Sequence, residues 1–225
     1  MKILCISASN TQHMGMNSTS YKTCGLIEKI VKEINGDHEV EILTLMNQRI
    51  KFCLLCGDCS EEGQCPYDRE FNEVFDRMRE ADRIFIVVPH YSPIPSKLVA
   101  LFEKINEIIY GSWLKIPQFE SPFTGKVVGI IGHGGMAENQ ESLRYYHDGL
   151  IKPIASTLKS FGFVIAELNE HFPLGAPFGL EDDSCIQPRA DAVFPDIAQN
   201  WALIEERIRP LVANVLKSSD TKINP

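Results

Sequence analysis

The chain has no run of about eighteen apolar residues, the least a membrane-spanning helix needs, so no membrane span is expected. It also lacks any cluster of basic residues. With 22 Lys and Arg against 30 Asp and Glu, the formal net charge is −8, which predicts repulsion from a phosphate backbone and no nucleic-acid partner. Internal repeats are absent, and so is the G-x-x-x-x-G-K-[ST] loop of the Walker nucleotide sites. The opening MKILCISAS turns polar too early for a signal peptide, which leads to the expectation of a cytoplasmic protein. In that reducing compartment the seven cysteines, an odd number that leaves no complete pairing, point to metal or redox work rather than disulfides.

At 225 residues, 44% hydrophobic and 23% charged, the chain is an ordinary globular sequence, long enough for one buried α/β core with an appended segment. Lys2 to Ser9, Glu39 to Leu45, Arg83 to Pro89, Lys126 to Gly132 and Phe163 to Leu168 read as strands. The third of these, RIFIVVP, is apolar after Arg83, as a parallel strand buried on both faces must be. Helices are predicted over Ser18 to Ile34, Lys97 to Ile109 and Glu141 to Phe161, the last broken near Pro153. Such alternation predicts a parallel sheet with helices on both faces. Five strands suit a flavodoxin-like, doubly wound sheet of order 2-1-3-4-5; a six-stranded Rossmann sheet is the competing architecture. This domain is expected to span 1–169 and to include a cysteine loop at 47–68.

Residues 170–225 are expected to form an irregular arm and a C-terminal helix, Asp196 to Leu216, packed on the same domain or a neighbouring subunit. Pro173, Gly175, Pro177, Gly179, Pro188 and Pro195 break any regular element. Phe172, Phe178 and Phe194, costly to leave in water, favour an arm crossing a subunit boundary. Ser218 to Pro225 reads as a frayed tail.

In either architecture ligands gather at the carboxyl ends of the strands. No Asp or Glu occurs between Cys5 and Ile27, whereas Ser7, Ser9, Asn10, Thr11, Asn17, Ser18, Thr19 and Ser20 do. Hydroxyls and free N–H groups at a helix N-terminus make an anion seat; the plain alternative is that Ser18 is only an N-cap in a solvated loop. After the third strand, Pro89, His90, Tyr91 and Ser92 open a proline-stiffened loop with planar surfaces for a flat ring, or form a structural turn. After the fourth, Gly132, His133, Gly134 and Gly135 sit in a G-x-G-x-x-A match. A dinucleotide fingerprint belongs to the first βαβ unit, with an acidic residue about twenty positions on, so that reading is rejected. These glycines are instead expected to let backbone approach a ring edge, and His133 is given little weight as a catalyst.

Cys53, Cys56, Cys59 and Cys65, the last followed by Pro66, fall within thirteen residues. Repeated C-x2-C spacing favours an iron–sulfur cluster, and here all four sulfurs must hold a single one. Structural zinc, a dithiol redox pair and an unfilled site are the alternatives; zinc knuckles lie farther apart than this. Cys5 and Cys24 read as small core residues, and Cys185 has no assigned role.

Taken together, these motifs resemble the flavodoxin-like NAD(P)H-dependent FMN reductase superfamily, in particular its iron–sulfur flavoproteins, over Met1 to about Leu168. Asn17-Ser18-Thr19 is similar to the family's helix start, although Ser7-Ala8-Ser9-Asn10 lacks the Arg of its phosphate turn. Pro89-His90-Tyr91-Ser92 is similar to its ring-contacting loop, and the four cysteines to its cluster run. The resemblance implies an oxidoreductase using FMN and one [4Fe–4S] cluster, with no catalytic side chain required. It implies electrons from a ferredoxin or NAD(P)H, and a homodimer or homotetramer is expected. A cluster-free NAD(P)H-dependent FMN, quinone or azo reductase and a non-catalytic electron-transfer module are the other readings.

Overall fold

The computed structural model describes residues 1–12, 14–190 and 195–218. The elements run β1 (Lys2–Ser7), α1 (Thr19–Ile34), β2 (Glu39–Thr44), α2 (Cys59–Glu62), α3 (Arg69–Glu80), β3 (Arg83–Pro89), α4 (Ser96–Lys115), β4 (Val127–Ala137), α5 (Gln140–Tyr146), α6 (Lys152–Ser160), β5 (Val164–Ile165), β6 (Ala176–Leu180), β7 (Ile186–Gln187), β8 (Asp196–Ile197) and α7 (Trp201–Lys217).

Period-two alternation divides the central strands between two cores. Leu4, Ile6, Ile84, Ile86, Val88, Val128 and Ile130 face one side, against α3, α4 and α6. Ile3, Cys5, Phe85, Val87, Val127 and Ile131 face the other, against α1 and α7. Both faces of β3 are therefore dry, and its seven residues are all buried. Cys5 and Cys24 belong to the second core, where burial pushes both thiols well above their usual range.

The sheet order is β2-β1-β3-β4-β5, all parallel, as expected of a flavodoxin-like fold. The expected five strands become six, because the outer position is shared. The short β5 pairs with Val127 and Val128 at the start of β4. Beyond it β4 continues to Ala137, and β6 lies parallel to that upper half, from Ile131↔Ala176 to Ala137↔Leu180. Gly175 makes the entry: its φ is +145°, and a Cβ there would stand 2.3 Å from the Ile130 carbonyl oxygen. Pro177 is tolerated because β6 is an edge strand with one partner.

The irregular arm is corrected accordingly. Ala176–Leu180 is a wholly buried strand. Phe178 is enclosed by this chain's own second core, and Phe172 packs against it, so neither supplies a reason for an arm across a subunit boundary. Phe194 lies outside the described residues, as does the tail beyond Ser218. The C-terminal helix begins at Trp201, where the Asn200 side chain accepts from the Leu203 N–H (3.3 Å); Asp196 and Ile197 pair with β7 instead. The break expected near Pro153 is a π turn, His147–Ile151, between α5 and α6. It accommodates a residue that cannot donate to the preceding turn. Among the described residues no helix is long and apolar enough to cross a membrane.

Candidate functional site

The strand order reverses between β1 and β3, and a cavity of about 400 Å³ opens at their carboxyl ends. Its walls come from three loops and from the C-terminal segment. Ser9, Ser18, Thr19, Ser20, Pro89, His90, Tyr91, His133, Gly134 and Gly135 line it, all drawn from the loops in which the sequence placed a ligand. Thr11, Met14, Leu180, Pro195, Ile197 and Gln199 line it as well. The last four were missed because they lie in or just beyond a proline- and glycine-rich stretch that carries no signal of its own. Four expected residues stand outside the lining. Ser7 is buried beneath it, Asn17 and Ser92 are exposed, and Gly132 packs against Ile151.

Each wall is held by its own chemistry. Ser18 is indeed an N-cap, its Oγ accepting from the Tyr21 N–H at 3.3 Å, and no acidic residue enters the first turn of α1. Ser9 Oγ and Thr11 Oγ1 bond to one another, and both meet the Tyr91 hydroxyl, at 3.2 and 3.1 Å. The first and third strand loops are thereby joined through hydroxyls that face the cavity. Ser7 Oγ, at the end of β1, and Asn10 Oδ1, in the loop after it, are buried with no hydrogen-bond partner among the described residues. The Tyr91 ring is half exposed at the rim, while the His90 ring leans on Tyr145 and Tyr146 and its Nε2 lies 3.0 Å from the Tyr145 hydroxyl.

His133 lies within β4, not in the loop expected to follow that strand. It is buried, stacked on Phe178 with centroids 5.1 Å apart, and its Nε2 lies 2.8 Å from Ser20 Oγ. Burial lowers its pKa to about 3, so the imidazole is neutral at ordinary pH. The glycines after β4 also divide by cause. A Cβ on Gly134 would stand 2.4 Å from the Tyr146 hydroxyl oxygen, so that position is glycine because of this chain's own packing. A Cβ on Gly135 meets nothing within 4 Å, which leaves the backbone open to the cavity.

The four cysteines line a second cavity, of about 190 Å³, between the loop and α4. Cys59 is buried, Cys53 and Cys65 are intermediate, and Cys56 is exposed. Burial raises the Cys59 thiol pKa, and the neighbouring Cys65, Cys53 and Cys56 add to the rise. Lys97 ties the start of this region to α4, donating to the Leu45 and Met46 carbonyls at 3.0 and 2.7 Å. Among the described residues no three His, Cys, Asp or Glu side chains converge as a single metal ion requires. Among the described residues the two cavities share none in their linings. From Ser96, whose hydroxyl accepts from Asn10 beside the first cavity, to Lys104 and Ile108 of the second is 8 to 12 residues, about 12–18 Å of helix.

A doubly wound parallel sheet of this order, with a cleft at the switch point, defines a flavodoxin-like α/β protein. A model of the family described as NADPH-dependent FMN reductase matches residues 1–152, and the chain belongs to that family of flavin-dependent oxidoreductases. It is 31% identical over 105 residues to an iron–sulfur flavoprotein of Methanosarcina thermophila, covering 46% of this chain and 52% of that one. It is 34% identical over 92 residues to an iron–sulfur flavoprotein of Archaeoglobus fulgidus, covering 40% and 41%. The chain thus spans about half the length of the curated relatives it matches. Among solved structures, FerB of Paracoccus denitrificans, a flavoenzyme NAD(P)H:(acceptor) oxidoreductase, superposes with a TM-score of 0.54 over 96% of this chain and 97% of its own. At 13% identity that likeness concerns the fold alone.

Proposed function

We propose that the protein is a cytoplasmic FMN-dependent oxidoreductase that passes electrons between a [4Fe–4S] cluster and FMN. The observation that carries the flavin half is the 400 Å³ cavity, hydroxyl-lined at the α1 end and aromatic at the β3 loop, in a chain of the FMN reductase family. Ser9, Thr11, Ser18, Thr19 and Ser20 receive the phosphate through hydroxyls and the free N–H groups of the first turn of α1. Asn10 Oδ1, in that loop, is buried without a hydrogen-bond partner among the described residues, which accords with a polar ligand there. Pro89, His90, Tyr91, His133, Gly134 and Gly135 border the ring. Leu180, Pro195 and Ile197 close the cavity from the C-terminal side and keep water from it.

The cluster half rests on the donor set. Four thiols on C-x2-C-x2-C-x5-C spacing line one cavity, and thiolates select soft iron. Cys53, Cys56, Cys59 and Cys65 hold the cluster, two curated relatives bearing the iron–sulfur name. Bound in these cavities, FMN and the cluster supply the electron chemistry; the chain positions and insulates them. The separation along α4 favours flavin and cluster meeting across neighbouring subunits of a homodimer or homotetramer. NAD(P)H or a ferredoxin serves as donor.

Purification without oxygen, followed by visible spectroscopy with iron and sulfide analysis, tests both halves. Flavin bands with no iron refute the cluster, and failure to bind FMN refutes the whole reading. Cys59→Ala is expected to abolish iron retention while leaving FMN bound; full retention of iron shows that Cys59 is not a ligand. One observation favours a second reading, a cluster-free NAD(P)H-dependent FMN or quinone reductase: the family model that matches residues 1–152 is described by FMN reduction alone. The same iron analysis separates the two.

A further inference from the structure

Behind the cysteine loop lies a buried ion pair that the flavin site does not use. Lys104, on α4, is 5% exposed, and Asp68, which caps α3, is 2% exposed, with Nζ and Oδ2 3.4 Å apart. Taking both charges out of water costs several kcal/mol per ion, and well-packed apolar residues are often as stable in such a place. Stability alone is therefore a weak reason for the pair. The Asp68 carboxylate has other work, accepting from the N–H groups of Phe71 (3.1 Å) and Lys51 (2.7 Å). Lys104 has one further polar contact of interest: its Nζ stands 3.4 Å from Cys65 Sγ, while it also lies over the Phe71 ring, 5.4 Å from the centroid.

Cys65 is itself clamped. Its N–H donates to Asn72 Oδ1 and its carbonyl accepts from Asn72 Nδ2, both at 2.8 Å. The fourth cysteine is thus fixed in place against a buried ammonium, whereas Cys56 stands in solvent. The Lys104–Asp68 pair is a dipole with its positive end on that sulfur. Hydrogen bonds to ligand sulfurs and nearby positive charge both favour the more negative, reduced state of a cluster.

We propose that Lys104 is a positioning residue for the cysteine site, donating a hydrogen bond to the Cys65 sulfur and thereby raising the reduction potential of the cluster held there. The inference rests on the cluster reading above and extends it to a residue outside the ligand set. Apolar replacement at 104 would strand the Asp68 carboxylate, so the informative variant is Lys104→Met/Asp68→Asn. It leaves no buried charge and retains an Asn able to cap α3.

The full-length protein, loaded with iron and sulfide without oxygen, is assayed for iron and FMN. It is then titrated with redox mediators, the reduced cluster being followed by electron paramagnetic resonance. The double variant is expected to disfavour one-electron reduction of the cluster at least tenfold, a midpoint about 59 mV lower. Its flavin midpoint stays unchanged, because the two cavities share none of the described residues. Asp68→Asn alone keeps the ammonium, and its cluster midpoint stays at or above that of the unaltered protein. A loaded double variant with an unaltered midpoint overturns the role of Lys104 and leaves the cluster reading standing. So does an equal fall in Asp68→Asn, which assigns the effect to the lost carboxylate. If the double variant binds FMN but no iron while Asp68→Asn holds both, the role is supported; iron loss from both overturns it. Unaltered protein that binds FMN without iron removes the cluster reading, and this inference with it.

Discussion

Replacing Phe178 by alanine probes at once the part of the fold least visible in the sequence and the burial of the histidine beside the candidate flavin cavity. Phe178 is fully buried in β6, and its ring lies 9° from parallel to that of His133. Truncating a buried phenylalanine costs about 3–5 kcal/mol, against a typical total stability of about 5–15 kcal/mol. For a chain of this size each kcal/mol moves Tm by about 2–4 °C, so a fall of about 6–20 °C is expected. A second signature comes from protonation. In the folded protein burial depresses His133 to about 3 from an ordinary 6.5, so between those values the unfolded chain binds a proton that the native state does not. Stability therefore rises with pH through that window, by about 1.4 kcal/mol per pH unit at most, and His133 contributes no slope above it. Removing the Phe178 ring admits water to the imidazole, raises its folded-state pKa towards the ordinary value and flattens that slope. Thermal melts on both proteins from about pH 4 to pH 8, with the His133 ring followed by NMR, measure both effects. A Tm loss below about 3 °C, or an unaltered pH slope, would refute the assignment of residues 176–180 to the core.

Two further substitutions address the cavity walls. Ser20→Ala leaves His133 Nε2 buried without its 2.8 Å partner and is expected to cost about 1–3 kcal/mol in urea unfolding; a neutral result would show that the bond is dispensable. Gly134→Ala and Gly135→Ala form a matched pair. The first drives a Cβ into Tyr146, displacing a hydroxyl that accepts from the Met136 N–H at 2.9 Å, and is expected to cost about 1–3 kcal/mol of stability together with FMN affinity. The second meets nothing in the protein and is expected to weaken FMN while leaving Tm in place. Flavin fluorescence titration alongside melting separates them, and equal behaviour of the two variants contradicts the geometry.

The flavin cavity is built from two kinds of segment with different legibility. The loops after β1, β3 and β4 announced themselves, because a parallel strand must be apolar to be buried on both faces and its carboxyl end is then plain in the sequence. His133, by contrast, looked like a loop residue. Its burial depends on Phe178, forty-five positions away, reaching its side through the pairing of β6 with β4. Neither residue carries a local mark of the other. The glycines were legible as necessary but not as to cause: Gly134 makes room for Tyr146 and Gly135 for open space, a distinction that only the positions of the neighbours can draw.

The sequence by itself determined the alternation of strands and helices, the edge at which ligands gather, and the cysteine spacing, because each follows from local periodicity and residue chemistry. The tertiary structure alone decided that APFGL is a strand. A proline and a glycine read as breakers along the chain, yet an edge strand beside a long β4 tolerates both. It also decided that Lys104, one basic residue on a predicted helix, lies against Cys65 and Asp68, since contact between α4 and a loop some forty residues earlier is a property of packing and not of pattern. Local chemistry is written in neighbouring residues; burial and partnership are written only where distant segments meet.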